Sequence, residues 1–365
     1  IWKGLVGSEM CIRDRYNLKT TWLKMKDEVK IILDICDKIL LKNVDHHLRL
    51  NLEPNSTQFK TLKDEIISSE LTKLLVKEDL GGAGMTLNDI IPIVQLSAQY
   101  GTPIPFIETI ISNFLLSELN IKPENDLITL TNKTENIIIK KDKISGNFKS
   151  IPYLNLAEKI LVETEIKNQK YIILFKKGGK LKLQKNFLSE PKFDLDASQL
   201  EIISMMEKPE QMDIQNLLIN VRSIQSFGAM EKILKLCIEY CSQRKQFGRT
   251  LSKFQMIQNH ISEIALEVAA SGASLSTLKN NNKNFYNLKS TAIPKIRTGI
   301  ASGKVIALSH QVHGAMGFTK EYELSYFTKA LNSWRNEFGN EIYWQNILGK
   351  LFLNQNKNLW EFLNH

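Results

Sequence analysis

At 365 residues the chain is longer than one typical hydrophobic core supports, so two or three packed units are expected. Hydrophobic content of 43% and charged content of 24% describe a globular protein, and no apolar run reaches the roughly 18–20 residues of a spanning helix, which argues against a membrane protein. The net charge of +9 comes from scattered lysines without a compact Lys/Arg block; this argues against nucleic acid and leaves solubility or an anionic small-molecule partner.

The chain opens on Ile1, and "GLVGSEMCIRDR" (Gly4 to Arg15) has neither helical nor strand periodicity, nor the long apolar centre of a secretion signal. It looks like translated adapter sequence. Residues 1–24 are therefore expected to be a non-native leader, with the natural start near Met25. An N-terminal helical domain is expected over 25–122. Val29, Ile32, Leu33, Cys36 and Leu40 recur at intervals of three and four. The glycine-bearing break "LGGAGMTLND" follows, where Thr86 and Asn88-Asp89 offer helix-start chemistry. Two apolar helices come next, divided at Gly101-Thr102-Pro103.

From 123 to 208 the texture predicts a compact antiparallel β domain. The β-rich runs "LITLT", "NIIIK", "KILVETE" and "KYIILFKK" are separated by turn signals at Asn132-Lys133, Ser145-Gly146-Asn147 and Gly178-Gly179. From 209 to 365 the helical pattern returns. One stripe holds Ile233, Leu236, Cys237, Tyr240 and Cys241. A second runs from Phe254 through Ile257, Ile261 and Ile264 to Val268, and a third helix is placed after Pro294. Long helices with broad apolar faces predict a C-terminal four-helix bundle, with "NNNKN" (Asn280 to Asn284) as a solvated loop. The fold class is thus mainly α with a middle β domain. The four cysteines, Cys11, Cys36, Cys237 and Cys241, suggest no disulfide framework and no metal set, and point to a reducing, cytoplasmic setting.

Two segments are more specific than composition: "CIEYCSQRKQFGRTLSKFQ" (Cys237 to Gln255) and "SHQVHGAMGFTKEYELS" (Ser309 to Ser325). Arg244 offers a planar fork of donors suited to a phosphate oxygen, and Gln246 a neutral bond beside it. Phe247 supplies an aromatic face, and Gln255 an amide for a base or ribose edge. Around Gln311 and Gly314 a small residue lets backbone N–H groups approach a pyrophosphate. Taken singly, Phe247 reads as core and Gly314 as a helix end; their co-occurrence is what carries information.

Together these segments resemble the acyl-CoA dehydrogenase family, with its R-x-x-F-G-x-x-L…F-Q and Q-x-x-G-G-x-G-[YF] patterns. The resemblance runs from about residue 26 to the end, weakly in the β region and strongly after Ile224. It implies a lipid-metabolising flavoprotein that removes hydrogen across the α,β bond of an acyl-CoA thioester, with FAD as hydride acceptor. It also implies that FAD sits at a subunit interface of a dimer or tetramer, homomeric or heteromeric, with an electron-transfer partner. Arg244, Gln246, Phe247, Gln255, Gln311 and Gly314 become the expected cofactor contacts.

Two departures bear on function. Where the family carries T-E-P-x-A-G-S-D facing the flavin, this chain reads "LTNKTEN". The family's catalytic Glu, read in register from Gln311, falls on Phe338, which cannot take a proton; the alternative base position falls near Leu218, also apolar. What survives at 338 is the backbone N–H, which in the family helps stabilise the thioester oxyanion. Glu337 and Glu341 are the candidates for a relocated base, read otherwise as surface carboxylates. Two functions follow: a dehydrogenase with a displaced base, or a non-catalytic, half-site subunit whose sister chain supplies the base and part of the FAD site.

Overall fold

The computed structural model describes residues 26–184, 189–279, 281–355 and 358–364. The expected leader, the start at Met25, Cys11 and Asn280 lie outside these residues. The first part is helical: α1 (Asp27–Asn43), α2 (His46–Asn51), α3 (Thr57–Ser68), α4 (Ile91–Tyr100) and α5 (Phe106–Glu118). Asp45 caps α2 by accepting from the Leu48 N–H at 2.7 Å, and Ser56 caps α3 through Phe59 at 3.2 Å. Val29, Cys36 and Leu40 of the expected stripe are buried. Gly101 ends α4 in the left-handed region (φ 58°), where a Cβ would lie 2.6 Å from the Tyr326 ring. That close turn feeds α5, which is buried from Phe106 to Ser117 and carries Glu108 inside with it.

The β region comprises β1 (Ile128–Thr131), β2 (Thr134–Lys140), β3 (Lys143–Pro152), β4 (Lys159–Ile166), β5 (Gln169–Lys176), β6 (Lys180–Leu183) and β7 (Lys192–Glu207). The strand order is β1-β4-β5-β7-β3-β2, with β6 also on β7. The expected purely antiparallel sheet needs one correction: β1 and β4 pair parallel, Ile128 opposite Lys159. The chain between them runs out and back through the β2–β3 hairpin, a connection long enough to return β4 in the same direction. A second correction concerns Ser145-Gly146-Asn147, which lies within β3 rather than at a turn. The reversal is at Lys141-Asp142, and Gly146 (φ 152°) marks a shift in register against β7. Phe148 and Phe175, 5.1 Å apart, centre this region's own core.

The last part holds α6 (Ile214–Gln243), the two-residue strands β8 (Lys245–Gln246) and β9 (Arg249–Thr250), then α7 (Gln255–Ser274), α8 (Leu288–His313), α9 (Leu324–Asn336), α10 (Glu341–Leu353) and α11 (Leu359–Asn364). Helix α8 starts before Pro294, not after it. Asn287 caps it at Ser290 N (3.1 Å), and the Ser290 carbonyl that Pro294 cannot serve accepts from Thr277 Oγ1 at 3.1 Å. Cys237 and Cys241 are buried, and burial pushes both thiols up, to about 11 for Cys241. No helix among the described residues is long and apolar enough to cross a membrane.

Candidate functional site

A cleft enclosing about 580 Å³, solvent at its mouth included, opens where the three regions meet. Helix α5 gives it Ile107, Glu108 and Ile111. Leu130 to Lys133 leave β1 along one wall, and Lys192 begins β7 on another. Helix α6 contributes Leu218, Val221 and Arg222, and the link between α9 and α10 contributes Glu337 and Phe338. Both positions at which the resemblance expects a base, 338 and 218, therefore face one cleft, and both are apolar.

The floor of the cleft is an ion cluster that sequence reading missed. Arg222 donates from Nε to Glu337 Oε2 at 2.8 Å, from Nη2 to Glu190 Oε2 at 3.0 Å, and from Nη1 to Gln225 Oε1 at 2.8 Å. Glu108 Oε1 lies 3.7 Å from Nη1. Lys192 pairs with Glu337 and stands 3.7 Å from Glu190. Two cations thus meet three carboxylates. Burial pushes Glu108 up to about 7 against the pull of Arg222, and lowers Lys192 to about 8 against Glu190. One hint was available: Glu108 and Arg222 are lone charges within apolar helical runs, and such residues are almost never buried unpaired.

Glu337 and Glu341 are not the surface carboxylates of the plainer reading. The Glu337 side chain is 11% exposed and lines the cleft, its oxygens engaged by Arg222 and Lys192. Glu341 does not line the cleft. It opens α10, is held by both Nε (3.0 Å) and Nη2 of Arg335, and the hydrogen bonds from Arg335 keep its carboxyl below the usual range. Between them the backbone turns sharply: Phe338 has φ 59°, and at Gly339 (φ 95°) a Cβ would lie 2.4 Å from the Tyr343 ring. Trp344 Nε1 donates to the Phe338 carbonyl at 2.9 Å, while the Phe338 N–H has no hydrogen-bond acceptor among the described residues.

The expected cofactor contacts gather elsewhere. Arg244 ends α6 and starts a hairpin whose two central residues, Phe247 (φ 52°) and Gly248 (φ 76°), have the positive φ of a type I′ turn. Phe247 is 90% exposed. Arg244 and Gln246 are exposed, and no side-chain hydrogen bond ties either to the described residues. Gln255 is exposed at the start of α7. Tyr240 of α6 stacks on His313 of α8 at 4.4 Å, which brings Gln311 and Gly314 to the same end of the bundle; both are exposed. At about 1.5 Å per helical residue, Arg222 and Arg244 lie roughly 33 Å apart on α6. The hairpin and the cleft of one chain are separate sites.

Residues 221–349 match the family description "Acyl-CoA dehydrogenase, C-terminal domain". An acyl-CoA dehydrogenase of Mycobacterium tuberculosis, IpdE2, is 24% identical over 267 residues, 71% of this chain and 76% of the relative. Among solved structures, a variant of the Tcur3481-Tcur3483 steroid ACAD superposes with a TM-score of 0.77 at 16% identity, covering 90% of this chain and 98% of the other. The ChsE4-ChsE5 complex of Mycobacterium tuberculosis gives 0.76 at 14% identity, covering 91% and 99%. At such identities the structural likeness speaks for the fold alone.

Proposed function

Because this chain belongs to the acyl-CoA dehydrogenase family, we propose that it works as a half-site subunit of an FAD-dependent acyl-CoA dehydrogenase, paired with a sister chain that supplies the base. The observation carrying this reading is the roughly 33 Å between the exposed hairpin donors, unpaired among the described residues, and the chain's own cleft, which is apolar at both expected base positions. A dinucleotide held by Arg244 and Gln246 cannot reach that cleft. Its reactive end belongs in another subunit. The residues present fit the phosphate-bearing half of FAD: an exposed arginine fork, a neighbouring amide and an exposed aromatic ring on one turn. The cleft does not fit the ring half in the same way. Asn132 and Lys133 stand where the resemblance expects Gly-Ser-Asp, and the Lys133 ammonium lies 6.0 Å from the Phe338 ring centre.

Bound FAD supplies a hydride acceptor for the β carbon of the acyl thioester. This chain's part is to hold the cofactor's phosphates through Arg244, to flank it with Phe247, and to close the sister chain's site against water. That the ChsE4-ChsE5 structure is of a complex between two differently named chains supports the two-chain arrangement. An electron-transfer partner and a cytoplasmic setting belong to the same proposal.

A second reading, a self-sufficient dehydrogenase with Glu337 as base, rests on Glu337 lining the cleft beside the free Phe338 N–H. Its weakness is that two cations already engage the carboxylate. Purification alone and with a co-expressed sister chain separates the two. The half-site reading expects a colourless chain alone and a yellow, acyl-CoA-bleachable complex. Flavin bleaching by the lone chain, abolished in Glu337→Gln, would overturn it.

A further inference from the structure

The hairpin end of the bundle carries more positive charge than the proposed cofactor contacts account for. Residues 240–262 hold Arg244, Lys245, Arg249 and Lys253 but no Asp or Glu. All four cations are exposed, and none forms an ion pair among the described residues. The chain's own structure explains part of this. Arg244 and Lys245 follow the carboxyl end of α6, whose dipole favours cations, and the Arg249 guanidinium lies over the Phe254 ring at 4.2 Å. Lys253 has no such reason. It stands just ahead of α7, at the end whose dipole disfavours a cation, and no acid in the first turn offsets it. Across the hairpin Gln246 pairs with Arg249 and Lys245 with Thr250, so strand alternation puts Lys245 on the opposite face from Gln246. A cofactor met through Gln246 leaves Lys245 on the other side of the ribbon. Large apolar side chains are exposed at the same end, which the Tyr240–His313 stack defines: Phe247, and beyond Gly314 also Met316 and Phe318. Arginine among aromatic and methionine side chains is the composition of a protein interface.

We infer that this end of the bundle docks an acidic face of the sister chain, with Lys245 and Lys253 meeting its carboxylates beside the cofactor contacts. The inference rests on the half-site reading and adds to it the chemistry of the partner's surface. A second copy of this chain, itself carrying a net +9, would meet the patch with like charge, which favours an acidic partner over self-association.

The test uses the whole chain and the sister chain of the co-expression experiment, with FAD saturating throughout. Their association is expected to weaken steeply as salt rises from roughly 0.05 to 0.5 M. The double variant Lys245→Glu/Lys253→Glu leaves Arg244, Gln246 and Phe247 in place. It should raise the Kd about tenfold or more at low salt, and its difference from the unaltered chain should narrow at high salt. Carbodiimide, which joins an amine to a carboxylate in contact with it, should link Lys245 or Lys253 to Asp or Glu of the sister chain, read by peptide mass spectrometry. Assembly indifferent to both salt and the charge reversal, or links confined to this chain's own carboxylates, would overturn the inference and leave the half-site reading standing. Self-association of the lone chain through the same lysines would assign the surface to a second copy and overturn it as well. Failure of the half-site reading looks different: no association with the sister chain at any salt, which sinks both.

Discussion

The cleft and the hairpin lie at the two ends of one helix, α6, and treat their polar groups in opposite ways. At the cleft, Arg222 spends three donors on Glu337, Glu190 and Gln225, and a lysine completes the cluster. At the hairpin, Arg244 and Gln246 are exposed without a side-chain hydrogen-bond partner among the described residues, and a phenylalanine stands 90% exposed on a turn that disfavours it. Buried charge is tolerated only when paired, so the cleft has become a junction of the three regions. Exposed donors beside an exposed ring do little for the chain's own stability. They are intelligible as a surface for something outside it.

The largest effect that could break this contrast is at Arg222. Arg222→Met strands Glu190 and Glu337 in the interior and should lower unfolding stability by about 3–5 kcal/mol in denaturant melts. FAD uptake by the co-expressed complex, measured per folded chain, should change little, because the hairpin is far away. A loss of FAD larger than the loss of folded protein would place the cofactor at the cleft.

Next is the excess carboxylate. Both folded and unfolded chains hold the Glu108 proton below about pH 4.5. Between there and about 7 the unfolded chain has released it while the folded chain retains it, so unfolding releases a proton and stability falls as pH rises through that window. Above about 7 the loss levels off. Glu108→Gln should flatten this decline and raise stability at pH 8 by roughly 2–3 kcal/mol, read from melts across the range. A decline unchanged in Glu108→Gln would mean that the cluster is not short of a cation.

How much of this was legible beforehand differs between the two ends for the same reason. The hairpin residues lie within a dozen positions, so R-K-Q-F-G could be picked out as a motif of the resemblance, although its turn was not read. The cleft gathers Glu108, Glu190, Lys192, Arg222 and Glu337 from α5, the start of β7, α6 and a late link. No periodicity ties such residues together; only the fold does. The strands β1, β2, β4 and β5 were legible because each alternates or is β-branched, whereas β3 was not, its Ser145-Gly146-Asn147 carrying the residues of a turn. The parallel β1–β4 pairing was not, since direction is set by the connection rather than by the strands. Likewise Pro294 read as a helix start because its missing donor is a local fact, whereas the Thr277 hydroxyl that takes over the freed carbonyl is a tertiary one.

Arg244 tests the hairpin from the ligand side. Its side chain makes no hydrogen bond among the described residues, so Arg244→Ala should leave the melting midpoint unchanged. Loss of a charge-assisted phosphate contact, about 1.5–3 kcal/mol, should weaken FAD binding to the complex roughly 10- to 150-fold by flavin fluorescence titration. A drop in midpoint with unchanged FAD affinity would make the arginine structural.

The smallest effect is the most pointed. A type I′ turn favours Asn-Gly, and a phenylalanine held at φ 52° carries a local cost of about 1 kcal/mol. Being 90% exposed, Phe247 recovers little of that by burial, and its edge contact with Phe254, 6.3 Å between centroids, is modest. Phe247→Asn should therefore stabilise the chain by up to about 1 kcal/mol. If the turn served only the fold, nothing else would follow. If Phe247 stands there for a cofactor shared with a neighbouring subunit, the same substitution that steadies the hairpin should loosen FAD in the complex, and stability and affinity should move in opposite directions.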